Sequence, residues 1–132
     1  MCSPTGYSGK PLWQKLGLKP GMTCLPLDPP VPYAELVEGA EGIDFVRKGP
    51  ADLVHLFCRT RRGLAAGIEP ALAQVAPGGM LWVSWPKKSS SLFQDLTEDG
   101  LREIILPTGW VDIKVCAVDA DWSGLKFVRR KR

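Results

Sequence analysis

The sequence predicts a three-layer α/β domain spanning residues 1–132, with a mostly parallel sheet closed by a C-terminal antiparallel hairpin. Three observations carry that prediction. The runs Asp52-Leu-Val-His-Leu-Phe-Cys58 and Met80-Leu-Trp-Val-Ser-Trp85 are nearly continuous in apolar residues, as strands buried on both faces must be. Segments with helical spacing separate the strand-like runs, and alternation of the two is how a parallel sheet is connected. Near the C-terminus, Val111, Ile113, Val115 and Ala117 alternate with more polar neighbours. The turn Asp119-Ala-Asp-Trp-Ser-Gly124 then leads into Leu125–Val128, which together describe a hairpin.

Taken in order, residues 1–9 have the composition of an irregular arm. Pro11 suits a first helical position, Leu12, Trp13 and Leu16 share a face, and Gly17 ends that helix. Met22–Asp28 forms the first strand, a short helix follows over Tyr33–Glu38 until Gly39, and Ile43–Arg47 forms the second strand. Gly49-Pro50 punctuates the chain before the third strand, Asp52–Cys58. Leu64, Ile68, Leu72 and Val75 recur at helical spacing, and Pro70 inside that segment predicts a kink or break. Pro77-Gly78-Gly79 stops it before the fourth strand, Met80–Trp85. Thr97 caps the last helix, with Glu98 and Asp99 in its positive first turn and Leu101, Ile104 and Ile105 as its apolar face. Pro107-Thr-Gly109 ends it.

One joint resists the simple alternation. A parallel connection takes about a dozen residues, yet only a few separate the second strand from the third. Either the second strand is short and its exit crosses the sheet as extended coil, or it pairs antiparallel. Pro26, inside a strand that should be central, removes a ladder donor and predicts a bulge or local irregularity.

Composition bounds the function. Hydrophobic residues make up 45% and charged residues 23%, the balance of an ordered globular chain. No apolar run reaches the roughly 18 residues of a membrane span and no signal-peptide core opens the chain, so a cytoplasmic protein with no membrane partner is expected. Cys2, Cys24, Cys58 and Cys116 form no C-x-x-C pair and His55 is the single histidine, which argues against a disulfide framework or a metal site. The net charge is +3, but Arg129, Arg130, Lys131 and Arg132 supply +4, leaving −1 for residues 1–128. The basicity is a tail, fit for weak contacts with phosphate-rich partners and not for a nucleic-acid-binding face.

The order of elements carries a resemblance. L-G-L-K-P-G-M before the first strand, A-D-L-V-H-L-F in the third, L-A-Q-V-A-P-G-G-M-L-W-V-S-W through the fourth, and the closing hairpin resemble a class I S-adenosylmethionine-dependent methyltransferase, a Rossmann-like fold, that has lost a helix–strand–helix section. G-Y-S-G-K-P-L, W-P-K-K-S-S and V-D-I-K-V-C-A-V-D-A-D-W-S-G-L-K-F-V resemble an uncharacterised family of short proteins, a domain of unknown function with that truncated fold. The second resemblance implies a compact methyltransferase-like fold and no particular activity.

The first implies three features that the residues can be checked against. Such an enzyme places glycines after its first strand, so that backbone can lie against the cofactor. Here stand Asp28-Pro29-Pro30-Val31-Pro32, with three N–H donors removed. It places an acid at the end of its second strand to accept hydrogen bonds from the ribose, where this chain has Arg47 and Lys48. Many members carry a polar catalytic motif after the next full strand, and Phe57-Cys-Arg-Thr60 matches none of them. The expectation is a degenerate cofactor site, no bound cofactor and no catalytic residues.

Individual side chains narrow the field. His55 alternates with Leu53 and Phe57 in a buried strand, the place of a hydrogen-bonded core histidine more than of a catalytic base. Cys58 ends that strand with no general base identifiable in sequence to activate it. Lys87-Lys88-Ser89-Ser90-Ser91 begins beyond the carboxyl end of the fourth strand, where open α/β sheets bind ligands. Its ammonium and hydroxyl groups suit a phosphate or carboxylate, and with Asp28 it is the candidate ligand site. Trp85, Trp110 and Trp122 sit at element ends, either clustered around a pocket or scattered. Three function classes follow in order. The first is a non-catalytic methyltransferase-like module acting through a protein partner or as a regulator. The others are a small-anion-binding module using Lys87–Ser91, and a divergent S-adenosylmethionine-dependent methyltransferase.

Overall fold

The computed structural model describes residues 11–130, so the N-terminal arm, Cys2 and the last two residues of the basic tail lie outside it. Helix α1 (Leu12–Leu16) starts on Pro11 and ends on Gly17, whose φ of 91° only glycine adopts without strain. Then follow β1 (Thr23–Leu27), the single turn α2 (Tyr33–Leu36), β2 (Asp44–Phe45) and β3 (Ala51–Phe57). Helix α3 (Arg61–Leu72), β4 (Val75–Pro86), α4 (Glu98–Ile105) with a 3-10 turn at Leu106–Thr108, β5 (Trp110–Ala117) and β6 (Trp122–Arg129) complete the order. The six strands form one sheet in the order β2-β1-β3-β4-β6-β5. Strands β2, β1, β3 and β4 are mutually parallel, and β6 and β5 add the antiparallel hairpin at one edge. The α/β fold class expected from sequence is the one observed.

Alternation along the strands sorts two cores. Leu25, Val54, Leu56, Leu81, Val83, Leu125 and Phe127 point to one face and pack under Leu64 and Ile68 of α3 and Leu101 and Ile105 of α4. Cys24, Leu53, Phe57, Trp82 and Trp122 point to the other, covered by Leu16, Leu18, Tyr33 and Val37. That second covering layer is thin, since its helices are five and four residues long. The indole N–H of Trp82 donates to the carbonyl of Leu16 at 3.0 Å and ties the α1 segment to the sheet. The three tryptophans at element ends are scattered: Trp85 and Trp110 lie in the first core and Trp122 in the second.

The awkward joint resolves as the first of its two possibilities. Strand β2 is parallel to β1 and makes two residue pairs, Thr23↔Asp44 and Cys24↔Phe45. Its exit crosses the sheet with Val46 packed on the first core. Gly49 then seats against the end of α3, its N–H donating to Oε1 of Gln74 at 2.6 Å, while the Ala51 N–H donates to the Gln74 carbonyl at 2.8 Å.

Pro26 explains why β2 is short, and the irregularity expected of it is absent. The Asp44 and Val46 N–H groups donate to the carbonyls of Met22 and Cys24, so even-numbered residues of β1 face β2. Pro26 shares that side, and the N–H it lacks is the one a longer β2 would have required. On the other side, Cys24 to Leu27 pair with Leu53 to Leu56 without a register shift.

Two further expectations are corrected. Of the kink or break expected at Pro70, the break does not occur: helix α3 runs on to Leu72, because a proline this near the end removes only one late hydrogen bond. Strand β4 begins at Val75 and not Met80. Val75 pairs with Ala51 before residues 76–79 bulge out, and pairing resumes at Leu53↔Met80. The carbonyls of Asp52 and Ala76 would lie 2.8 and 2.9 Å from a Cβ at position 79, so only glycine fits there. Among the described residues no helix is long and apolar enough to cross a membrane.

Candidate functional site

The carboxyl ends of β1, β3 and β4 converge on Asp28, Cys58 and Lys87, the face where an open α/β sheet holds ligands. The sharp turn after β1 is made without glycine. Asp28 itself adopts a φ of 56°, a conformation that Asp and Asn tolerate better than other side chains. Pro29, Pro30 and Pro32 follow, and Pro32 stands as the N-terminal cap of α2 without a side-chain hydrogen bond. The loop delivers Tyr33 to the sheet, where it is buried.

Tyr33 completes a polar chain through the second core. Its hydroxyl lies 2.7 Å from Nδ1 of His55, and Nε2 of the same ring lies 2.6 Å from Oγ of Ser84. Both His55 and Ser84 are fully buried. The imidazole stacks on Phe57 with 4.2 Å between ring centroids, and Tyr33 meets His55 edge-on at 5.4 Å. Burial holds the His55 pKa down to about 3, so the ring is neutral at physiological pH. One nitrogen donates and the other accepts, and the ring is fully buried. The chain fastens the proline loop to β3 and β4.

Sequence reasoning placed His55 correctly but missed both its partners. Each left a signal: Tyr33 and Ser84 are polar groups set in apolar surroundings, and a buried polar group needs a partner. The register supplies the rest, since His55 pairs with Trp82 and Ser84 is the next residue of β4 on the same face. Gly124 leaves the space, for a Cβ there would stand 3.2 Å from Oγ of Ser84.

The setting of Cys58 disfavours its thiolate. It is 7% exposed, and burial followed by the nearby Asp28 carboxylate pushes its thiol pKa up to about 12. The residues after it have structural work. The Arg59 guanidinium lies over the Trp122 ring at 5.7 Å, and the Thr60 hydroxyl accepts from the Gly63 N–H at 2.9 Å to cap α3. Arg47 and Lys48 are exposed just beyond β2, with no ion-pair partner among the described residues.

The candidate lysines line a cavity whose walls do not include Asp28. It measures about 400 Å³, and Lys87 and Lys88 share it with Trp85, Thr97, Glu98, Asp99, Arg102 and Ser123. Arg102 pairs there with Glu98 and Asp99 and reaches Asp112 of β5 at 3.0 Å. Ser90 is engaged elsewhere: its hydroxyl donates to Oδ1 of Asp121 at 2.9 Å and accepts from the Leu92 N–H at 3.0 Å. The Lys87 N–H donates to the Asp121 carbonyl at 2.8 Å, so the loop is fixed to the β5–β6 turn. Ser89 and Ser91 are exposed. Among the described residues no group of three or more His, Cys, Asp or Glu side chains is placed to hold a metal ion, and Cys24, Cys58 and Cys116 are free thiols.

No model of a known protein family matches the chain, and neither does any curated protein sequence. Solved structures do. A S-adenosylmethionine-dependent methyltransferase from Aquifex aeolicus superposes with a TM-score of 0.63 at 16% identity, over 88% of this chain and 86% of its own. Magnesium protoporphyrin IX methyltransferase from Synechocystis, solved with bound S-adenosylmethionine, gives 0.56 at 14% identity over 89% and 74%. The fibrillarin pre-rRNA processing protein of Methanococcus jannaschii gives 0.54 at 11% identity over 86% and 69%. The fold is that of the Rossmann-like methyltransferases.

Proposed function

We propose that this chain is a methyltransferase-fold domain whose carboxyl-end face has diverged from ordinary cofactor use, and that it acts as a non-catalytic interaction or regulatory module. The observation that carries the proposal is the loop after β1. Pro29, Pro30 and Pro32 withhold three backbone donors where such a fold presents them to its cofactor, and Tyr33 locks the loop into the core through His55 and Ser84. Arg47 and Lys48, where a ribose-binding acid is needed, add two groups that donate and cannot accept. The residues present do not fit S-adenosylmethionine.

The likeness to solved methyltransferases favours a second reading, a divergent S-adenosylmethionine-dependent methyltransferase, and supports it better than it supports a non-catalytic module. Fold alone does not carry activity, so the two readings part on binding. Three lost backbone hydrogen bonds at ~1 kcal/mol each weaken a dissociation constant by about two orders of magnitude. Calorimetric titration with S-adenosylmethionine is expected to show no saturation in the micromolar range. A low-micromolar dissociation constant would establish the methyltransferase reading in its place.

Anion binding by Lys87 and Lys88 is a separate proposal for the same face. The support is their shared cavity at the end of β4, with Arg102 adding a third cation and Glu98 and Asp99 opposing. Phosphate or a small carboxylate at low salt is expected to raise the melting temperature of the wild type. The gain should fade over the ~10 Å screening length reached at 0.1 M salt. A Lys87→Ala, Lys88→Ala variant should lose it, and an equal response from the variant would show the loop to be an ordinary solvated one.

A further inference from the structure

A cavity lies at the opposite end of the sheet from the loop after β1. It measures about 660 Å³ and is lined by Leu72, Val75, Pro77, Trp110, Val111 and Val128, with Arg129 and Arg130 beside them. Pockets of ~300–1,000 Å³ with mostly apolar walls and a few convergent polar groups are those that hold small molecules. The walls are fixed in place. Trp110 pairs with Arg129 and Val111 with Val128 across the β5–β6 ladder, and the Arg130 N–H donates to the Gly109 carbonyl at 2.9 Å. The facing wall is the bulge of residues 76–79 in β4, which opens the space because the strand departs from its partner there.

The charge at this cavity is unbalanced. Arg129 and Arg130 are exposed and make no ion pair among the described residues, whereas Arg61 and Arg102 both do. No carboxylate side chain belongs to the lining of this cavity, and Glu69 lines a neighbouring hollow that shares Leu72, Trp110 and Arg129 with it. An apolar recess with a tryptophan wall and two guanidinium groups selects a molecule with an apolar body and an anionic head. We propose that this cavity binds a small amphiphilic anion, a medium-chain or aromatic carboxylate or the equivalent phosphate ester. Its body would lie against Trp110 and Val75, with its head on Arg129 and Arg130. The site is independent of whether the opposite face takes S-adenosylmethionine.

Decanoate, below its micelle concentration, is the probe, with decanol as its uncharged counterpart. Decanoate is expected to stabilise the wild type at low salt and decanol to do so much less. Arg129→Gln, Arg130→Gln should weaken decanoate roughly ten- to hundredfold, the worth of a hydrogen bond to a charged group, without moving the melting temperature of the free protein. Ala76→Phe, which fills the recess from its wall, should abolish binding of both. The proposal is overturned if decanoate and decanol bind alike and the arginine variant changes neither, or if neither binds. Binding to phosphatidylglycerol vesicles without binding to free decanoate overturns it equally, because it assigns the arginines to a lipid surface. If Ala76→Phe fails to fold, the arginine variant alone decides the outcome.

Discussion

Acidification from pH 7 to about pH 4.5 is expected to cost the native state roughly 3 kcal/mol through His55 alone. The ring has an ordinary pKa of 6.5 in the unfolded chain and about 3 in the fold, where burial disfavours its charged form. Between those values the unfolded state binds the extra proton, so stability rises with pH across this window and is lost as pH falls through it. Each unit crossed below 6.5 is worth ~1.4 kcal/mol until the folded value is reached. Carboxylates also titrate in this range, so the measurement must be differential. His55→Gln keeps an uncharged side chain able to meet one partner, and at pH 7 it should cost about 1–3 kcal/mol for the hydrogen bond it leaves unmade. Urea unfolding of both proteins at the two pH values should show that gap closing, or reversing, at pH 4.5. Parallel pH profiles would mean that His55 is not held neutral between Tyr33 and Ser84.

The same geometry bears on function. A general base must titrate near the working pH and reach its substrate, and His55 does neither. Burial also raises the thiol pKa of Cys58, just beyond β3, and His55 and Cys58 both sit in packed surroundings. What remains at the carboxyl ends is the exposed Asp28 turn, the lysine pair and the cations after β2.

How far the sequence foretold this depends on the direction a group points. The buried runs of β3 and β4 identify themselves by composition, and so does the hairpin by its alternation and its turn. Pro26 misleads because the sequence says which residue lacks an N–H but not toward which neighbour it would have pointed. Once β2 is known to stop beside Cys24, the same proline becomes the cause of a short strand. Tyr33 was hidden for a related reason. Its meaning lies in a contact with residue 55, and no local pattern links a one-turn helix to the middle of a strand. The lysine loop was located by strand order, but its carboxylate neighbours Glu98 and Asp99 come from α4, which only the packing brings alongside.

Among the described glycines, Gly49→Ala is expected to be the most disruptive alanine substitution, costing about 2–4 kcal/mol. The position needs glycine for space. A Cβ there would collide with the Gln74 carbonyl oxygen and stand 2.9 Å from the Gln74 Cβ and 3.0 Å from its carbonyl carbon. Backbone cannot swing aside as a side-chain tip can, so the end of α3 and the start of β3 must separate. Overpacking of this kind costs ~1–3 kcal/mol by itself. Separation also strains two hydrogen bonds at the same contact, Gly49 N–H to Oε1 of Gln74 and Ala51 N–H to the Gln74 carbonyl. Each is worth ~1 kcal/mol when lost. Removing the amide in Gln74→Ala should therefore fail to rescue Gly49→Ala, because the obstructing oxygen belongs to the main chain. Gly78→Ala provides the contrast: its Cβ would meet nothing within 4 Å, and its φ of 79° makes backbone strain the only expense. That strain should amount to about 1–2 kcal/mol. Thermal or urea unfolding of the three variants ranks them directly. If Gly49→Ala proves no worse than Gly78→Ala, or if Gln74→Ala restores it, then the short joint between β2 and β3 is looser than its packing against α3 requires.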